Sequence, residues 1–229
     1  VDEVQDRWAT AIANPIPPKE ISSDEAPCHE IIIEGDDLDK PGNALDAIPV
    51  PISTPGWDVG PVATLTQYVT KDPDDGLTNM GNYRAQIKGP RRMGMNPSLE
   101  LRPGIYVHWQ KMKERGEKLP AAVVLGAPSC VTFTAAQKLP ENLEEITVAG
   151  GLVGSPINVV KARTVDLMVP AEAEIVVEGY INTEMLEPEA PFGESHGHVN
   201  LQEFNAFMDV TCITRRSNPI MTSIISQVT

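Results

Sequence analysis

Two glutamates five positions apart, in Glu189-Ala-Pro-Phe-Gly-Glu194, flank a turn that is stiff at Pro191 and sharply bent through Gly193. Such a turn can direct both carboxylates into one cleft while the proline ring limits their drift. Two carboxylates held together in a dry site do not ionise equally easily. One pKa rises, and the pair then offers a base and an acid near neutral pH. That chemistry suits an enzyme that removes one group and delivers a proton in its place. A surface turn in an acidic chain explains the same six residues, so the pair does not decide the matter alone.

Other positions carry chemical potential of different kinds. In Asn79-Met-Gly-Asn-Tyr-Arg84, Gly81 allows close backbone approach to a ligand, Arg84 offers a planar fork for a carboxylate, and Asn79 offers a hard amide oxygen. A turn entering a strand accounts equally for this stretch. His108 falls on an otherwise apolar helix face, either as a satisfied core side chain or as a ligand. Glu144 and Glu145 fall near the start of a predicted helix, where acids commonly complement the helix dipole. His196-Gly-His198 follows the acid pair; on a strand the two imidazoles would share one face. With Glu194 they read as a metallohydrolase site, an alternative that leaves Asn79, Arg84 and Glu145 without a role.

The elements that must position these residues are mostly extended. Residues 57–70 read as extended, with Val62, Leu65 and Val69 on buried faces, before a turn at Asp72-Pro-Asp-Asp-Gly76. Helical spacing of Ile105, His108, Trp109 and Met112 predicts a helix over about 105–117, entered through Pro103-Gly104. A buried strand is expected at 121–125 and a second helix at about 143–153. Further β segments are expected at 157–162, 174–181, 204–214 and 220–228, the last two joined by a turn at Ser217-Asn-Pro219. Residues 1–60 form a Pro-rich N-terminal segment, partly ordered, with an amphipathic stretch at 4–12 and a strand at 31–33. The sequence has no internal repeat. The expected class is α+β: a β-rich domain over 61–229, most simply a barrel or strongly curved sheet with a few covering helices.

A chain of 229 residues can bury a substantial core, and 18 Lys and Arg against 32 Asp and Glu give a formal charge of −14. A field of that sign repels phosphate backbones and anionic membrane surfaces, so neither nucleic acid nor membrane is an expected partner. An anionic substrate needs a local basic pocket. Cys28, Cys130 and Cys212 are odd in number and widely spaced. They read as reduced thiols of a cytoplasmic protein. No apolar run approaches the ~20 residues of a membrane span. The chain starts at Val1 without an initiator Met, which raises the expectation of an excised portion or one subunit of something longer.

Together, Asn79-x-Gly-x-Tyr-Arg84, His108, Glu145 leading into Ala149-Gly150, and Glu189-x-Pro-Phe-Gly-Glu194 occur in an order that resembles the UbiD family of reversible decarboxylases. The stretch Val169-Pro-Ala-Glu-Ala-Glu-Ile-Val-Val-Glu-Gly179 is similar to the same family's sheet segment. The resemblance covers roughly residues 60–228. It implies an FMN-binding split β-barrel with flanking helices, and prenylated FMN, whose extra ring makes the flavin a reactive azomethine ylide. It also implies a flavin prenyltransferase as cofactor supplier, and a divalent metal, usually Mn²⁺, between cofactor phosphate and protein. By position the metal ligands are Asn79, His108 and Glu145; Asn82, Tyr83, Arg84 and His108 meet the cofactor. A loop at 129–134 would supply backbone oxygens to a potassium ion. The catalytic residues carried over are Arg84, Glu189 and Glu194. In this assignment Arg84 pairs with Glu189, keeps it ionised and attracts the substrate carboxylate, while Glu194 donates the proton that replaces CO₂. The implied substrate is an aromatic or α,β-unsaturated carboxylic acid. Ala190 departs from the glycine common at its place, and His196-Gly-His198 stands where relatives often carry Thr-Gly-Tyr. Family members are usually longer, homo-oligomeric, and have a C-terminal domain for assembly and active-site closure. A flavin-binding module that needs a partner domain or chain is therefore the alternative.

Overall fold

The computed structural model describes residues 2–96, 103–140, 142–194 and 196–225. Its elements run α1 (Asp2–Ala13), β1 (Lys19–Glu20), β2 (Ile31–Glu34), β3 (Val62–Ala63), β4 (Thr66–Lys71), β5 (Thr78–Asn82), β6 (Ala85–Gly89) and β7 (Arg92–Met95). They continue with α2 (Gly104–Arg115), β8 (Leu119–Leu125), α3 (Ser129–Ala135), α4 (Glu145–Val153), β9 (Asn158–Lys161), β10 (Met168–Pro170) and β11 (Ile175–Ile181). The last are β12 (Glu187–Glu189), β13 (Phe192–Gly193), β14 (Val199–Asn200) and β15 (Glu203–Arg215).

The main sheet is antiparallel in the order β3-β6-β7-β15-β11-β8-β4-β5, with β2 and β12 also paired to β15. Strand β15 spans 13 residues, long enough to serve four partners along its length. Among the described residues β3 and β5 end the hydrogen-bonded path, so the sheet is open. Side-chain alternation along β8 and β11 explains why both are mainly apolar; the exception is Glu178 of β11, buried with its carboxylate accepting from Arg163 N at 2.9 Å and Thr164 N at 2.6 Å. Ala121, Val123, Leu125, Ile175 and Val177 enter the core that α2 covers through Ile105 and Met112. Ala122, Val124 and Val176 enter a second core, covered by α3, α4 and the small β1-β9-β10 sheet. Two buried faces favour apolar residues on both, and a polar one only where its hydrogen bonds are met. Register slips by one residue between Glu178 and Gly179, where an added Cβ would meet Asp209 O at 2.1 Å. Only glycine fits there.

Helix α2 lies where apolar spacing predicts it and ends at Gly116, whose φ of +71° lets its N–H turn back to the last carbonyls. Helix α4 begins two residues later than expected, because Glu144 is still extended and caps it. Three expectations need correction. Residues 129–134 are not a loop but most of α3, and the carbonyls of Cys130, Thr132, Phe133 and Thr134 already accept hydrogen bonds. Residues 57–70 are not one extended run: a turn precedes Gly60, β3 is two residues long, and Leu65 is only half-buried. Residues 220–225 form no strand. Side chains satisfy their backbone instead, Ile220 N donating to Glu174 Oε2 and Ile224 N to Thr64 Oγ1. The remainder of that predicted strand, 226–228, lies outside the described residues. Among the described residues no helix is long and apolar enough to cross a membrane.

Candidate active site

Arg84, in the short link between β5 and β6, is shared by two acids. Its Nη1 donates to Glu194 Oε1 at 2.5 Å and its Nη2 to Glu189 Oε2 at 3.2 Å. The guanidinium carbon stands 4.3 Å from the centre of the Phe192 ring, a stacking geometry that favours the cation and shields it from water. Glu189 is fully buried, whereas the Glu194 side chain is 26% exposed. One acid is therefore sealed in and the other meets the cleft. The turn does bring both acids to Arg84, but the expectation that it points both carboxylates into one cleft holds for Glu194 alone: Glu189 is buried and does not line the cavity.

The path of the chain explains this. β12 pairs with β15, setting Glu189 opposite Glu203. Ala190 then takes φ +72°, the following bond to Pro191 is cis, and the chain returns through the β13–β14 hairpin. Asp58 fastens that hairpin from 135 residues away: its Oδ1 accepts from Gly193 N at 2.9 Å and its Oδ2 from Thr54 N at 2.7 Å. Glu189 Oε2 accepts two further donors, Asn96 Nδ2 at 3.0 Å and Asn205 Nδ2 at 2.9 Å. Beside the acids lies a cavity of about 190 Å³ lined by Ser53, Asp58, Val62, Arg84, Phe192 and Glu194, among others. Arg84 Nε, Glu189 Oε1 and Ser53 Oγ are buried without a hydrogen-bond partner among the described residues. Buried polar atoms are normally paired, and Ser53 and Arg84 both line this cavity, so their unpaired atoms are ones that a polar ligand there could satisfy.

The second constellation surrounds β5. Asn79 pairs in register with Thr70 of β4, and the Thr70 hydroxyl lies 2.9 Å from His108 Nδ1 on α2. Residues paired across antiparallel strands share a face, so Asn79 and His108 belong to the same side of β5. Gly104, one helical turn before His108, allows this approach: a Cβ there would meet Asn79 Oδ1 at 2.2 Å. Glu145 reaches β5 along its open edge, where Oε2 accepts from Met80 N at 2.8 Å; Glu144 Oε1 accepts from Thr78 N at 2.9 Å. Burial raises the Glu145 pKa to about 7, against the pull of the Met80 N–H. Burial also lowers the His108 pKa, and the nearby Asp72 opposes it. His108 Nε2 lies 3.7 Å from Asp72 Oδ2, too far for a hydrogen bond to that carboxylate. Asn79 Nδ2 is buried and unpartnered among the described residues. Asn82 accepts from Gln67 Nε2 at 2.7 Å and donates to Thr132 O at 3.3 Å, joining β5 to α3. Tyr83 folds back over Gly81, and burial pushes its hydroxyl pKa up to about 12.

His196 and His198 are exposed at the tip of the β13–β14 hairpin, not aligned along a strand. Their rings are 5.2 Å apart, yet among the described residues no three His, Cys, Asp or Glu side chains are grouped to hold a metal ion. The hydrolase alternative thus loses the strand face on which it depended. Sequence reading missed Asp58, Asn96 and Asn205. Alternation along the predicted 204–214 strand could have marked Asn205 as a polar residue on a buried face; nothing local marks the other two.

Residues 19–228 match the model of the UbiD family described as the 3-octaprenyl-4-hydroxybenzoate carboxy-lyase Rift-related domain. Uncharacterized protein sll0936 of Synechocystis sp. is 36% identical over 200 residues, covering 87% of this chain and 38% of that protein. An evolved dimeric form of the UbiD-class enzyme HmfF from Pelotomaculum thermopropionicum, in complex with prFMN, superposes with a TM-score of 0.86 at 31% identity, over 96% of this chain and 49% of that one. Vanillic acid decarboxylase of Sedimentibacter hydroxybenzoicus, in its closed form, gives a TM-score of 0.89 at 30% identity, over 99% and 47% respectively. The chain spans about half the length, or less, of these relatives.

Proposed function

From the premise that this chain belongs to the UbiD family, we propose that it is the cofactor-binding portion of a reversible, non-oxidative carboxy-lyase that uses prenylated FMN on an aromatic or α,β-unsaturated carboxylic acid. The observation that carries this reading is one guanidinium held between a sealed carboxylate and a cleft-facing one. We read the open sheet and its helices as the family's FMN-binding split barrel, and residues 61–229 as the cofactor domain. A flavin prenyltransferase would supply the cofactor, and the reduced thiols agree with a cytoplasmic setting.

The residues present suit the group. Unpartnered polar atoms collect at Arg84, Glu189 and Ser53, and Asn82, Tyr83 and Arg84 form one continuous stretch against which a flavin would rest. Asn79 and Glu145 offer hard oxygens, and His108 Nε2 has no hydrogen bond to Asp72; such a donor set suits Mn²⁺ beside the cofactor phosphate. A potassium ion would need oxygens other than those engaged in α3. When bound, prenylated FMN supplies the electron sink that stabilises charge on the substrate carbon as CO₂ leaves. The protein supplies orientation and a proton. Arg84 attracts and aligns the anionic substrate in a strongly acidic molecule. Glu194, the acid that faces the cleft, is the residue that passes a proton to the carbon that has lost CO₂. Phe192 keeps water from that transfer.

The alternative, a flavin module inactive without its partner domain, is favoured by the fraction of the relatives that this chain covers. Anaerobic reconstitution with prenylated FMN and Mn²⁺ tests both readings, followed by CO₂ release from a panel of cinnamate- and hydroxybenzoate-type acids. Flavin absorbance with turnover supports the lyase, and absorbance without turnover supports the module. A protein that takes up neither flavin nor Mn²⁺ rejects both.

A further inference from the structure

The donors around Glu189 are unevenly shared. Oε2 accepts from Arg84, Asn96 and Asn205 at 3.2, 3.0 and 2.9 Å, while Oε1 is buried without a partner among the described residues. A carboxylate has about four lone-pair sites over its two oxygens, and a buried oxygen left unpaired is destabilising. A freely rotating carboxylate would divide its donors. The backbone prevents this. Asn205 lies on β15 directly opposite Glu187 of β12, two residues before Glu189. Asn96 leaves the end of β7, whose Met95 pairs with Ala206 of the same β15. Two neighbouring strands therefore bring their amides to one oxygen. Neither amide is charged, so they add direction to the site and no neutralisation. Glu189 in turn holds Nη2 of the guanidinium whose Nη1 holds Glu194.

We propose that Asn205, assisted by Asn96, is a positioning residue: it fixes Glu189 through Oε2, and through Glu189 sets where Arg84 presents Glu194. This rests on the reading of Arg84, Glu189 and Glu194 as a decarboxylase site. Asn205 is buried, so the side chain acts on the reaction only through Glu189.

The test compares Asn205→Ala, Asn205→Asp and Asn96→Ala with the parent in the full-length enzyme loaded with prenylated FMN. FMN affinity, melting temperature and the ¹³C signal of the Glu189 carboxyl are measured alongside turnover. The expected result is a 10- to 100-fold fall in kcat with KM and FMN affinity within about threefold, the scale of a misplacement near 1 Å. Asn205→Asp should fall furthest, since it sets a second acceptor against Oε2, and the Glu189 signal should shift in all three. Unchanged kcat and an unchanged Glu189 signal overturn the proposal. If the Asn205 variants do not fold, Asn96→Ala, altering a half-buried side chain, decides by the same two readouts. Glu189→Gln separates the premise from the inference: parental turnover in that variant removes the premise, whereas its loss alongside parental Asn205 and Asn96 variants removes the inference alone.

Discussion

Ala190 sits at φ +72°, in the left-handed region, within the loop that carries both acids. An L-residue there costs about 1–2 kcal/mol, while the buried methyl returns about 0.8. Strain wins by a small margin. Ala190→Gly is therefore expected to raise the urea midpoint, by up to about 1 kcal/mol in stability; a lower midpoint means that the methyl's packing outweighs the strain. Glu194 is the side chain that should matter most to chemistry. Glu194→Gln keeps an acceptor for Arg84 but has no proton to give. FMN affinity should stay within about twofold, while deuterium transfer from solvent into product falls by about 10²–10⁴. Parental deuterium incorporation would remove Glu194 from its role. The two acids stood out by residue type and spacing, and the resemblance implied a pair between Arg84 and Glu189. That Arg84 also holds Glu194, at the shorter distance, was not legible, because side-chain direction depends on the hairpin.

Strand β5 has an open edge, and exposed edges are normally protected. Here consecutive glutamates at the start of α4 supply the protection, Glu144 taking Thr78 N and Glu145 taking Met80 N. This gives both acids a structural role whatever else they bind, one that a dipole argument from sequence did not contain. Glu144→Ala should cost about 1–3 kcal/mol and speed hydrogen exchange at Thr78, whereas Glu144→Gln keeps an acceptor and should cost less. Equal losses in the two variants would mean that charge, not acceptance, holds the edge. Apolar spacing identified α2, β8, β11 and β15, because those elements bury a regular face or both faces. It did not identify α3, seven residues long, whose sequence Ser-Cys-Val-Thr-Phe-Thr-Ala carries three β-branched residues and fits a strand or loop as well.

Across the whole molecule, Cys28 and Cys212 are fully buried, one in the α3–α4 core and one on β15. Burial pushes the Cys28 thiol up to about 12, and burial beside Glu178 pushes Cys212 up as well. Both should resist alkylation at neutral pH until global unfolding exposes them; rapid labelling of native Cys28 would show local opening instead. The sign of the pH effect follows. Unfolded thiols lose their protons near pH 8.5–9, while the folded Cys28 holds its own to about 12, so these groups make stability fall as pH rises from about 9 to 12. Urea midpoints at pH 8 and 10.5 check this. The sequence by itself determined the α+β class, the family resemblance and the apolar strands, since these follow from residue chemistry and short-range spacing; candidate acids and ligands were given their roles through that resemblance. Only tertiary structure decided that Asp58 fastens the hairpin across 135 residues and that Asn96 meets Glu189 across 93. Such contacts arise when strands pair in a particular register, and pairing is a competition among all strands at once, which no local pattern encodes.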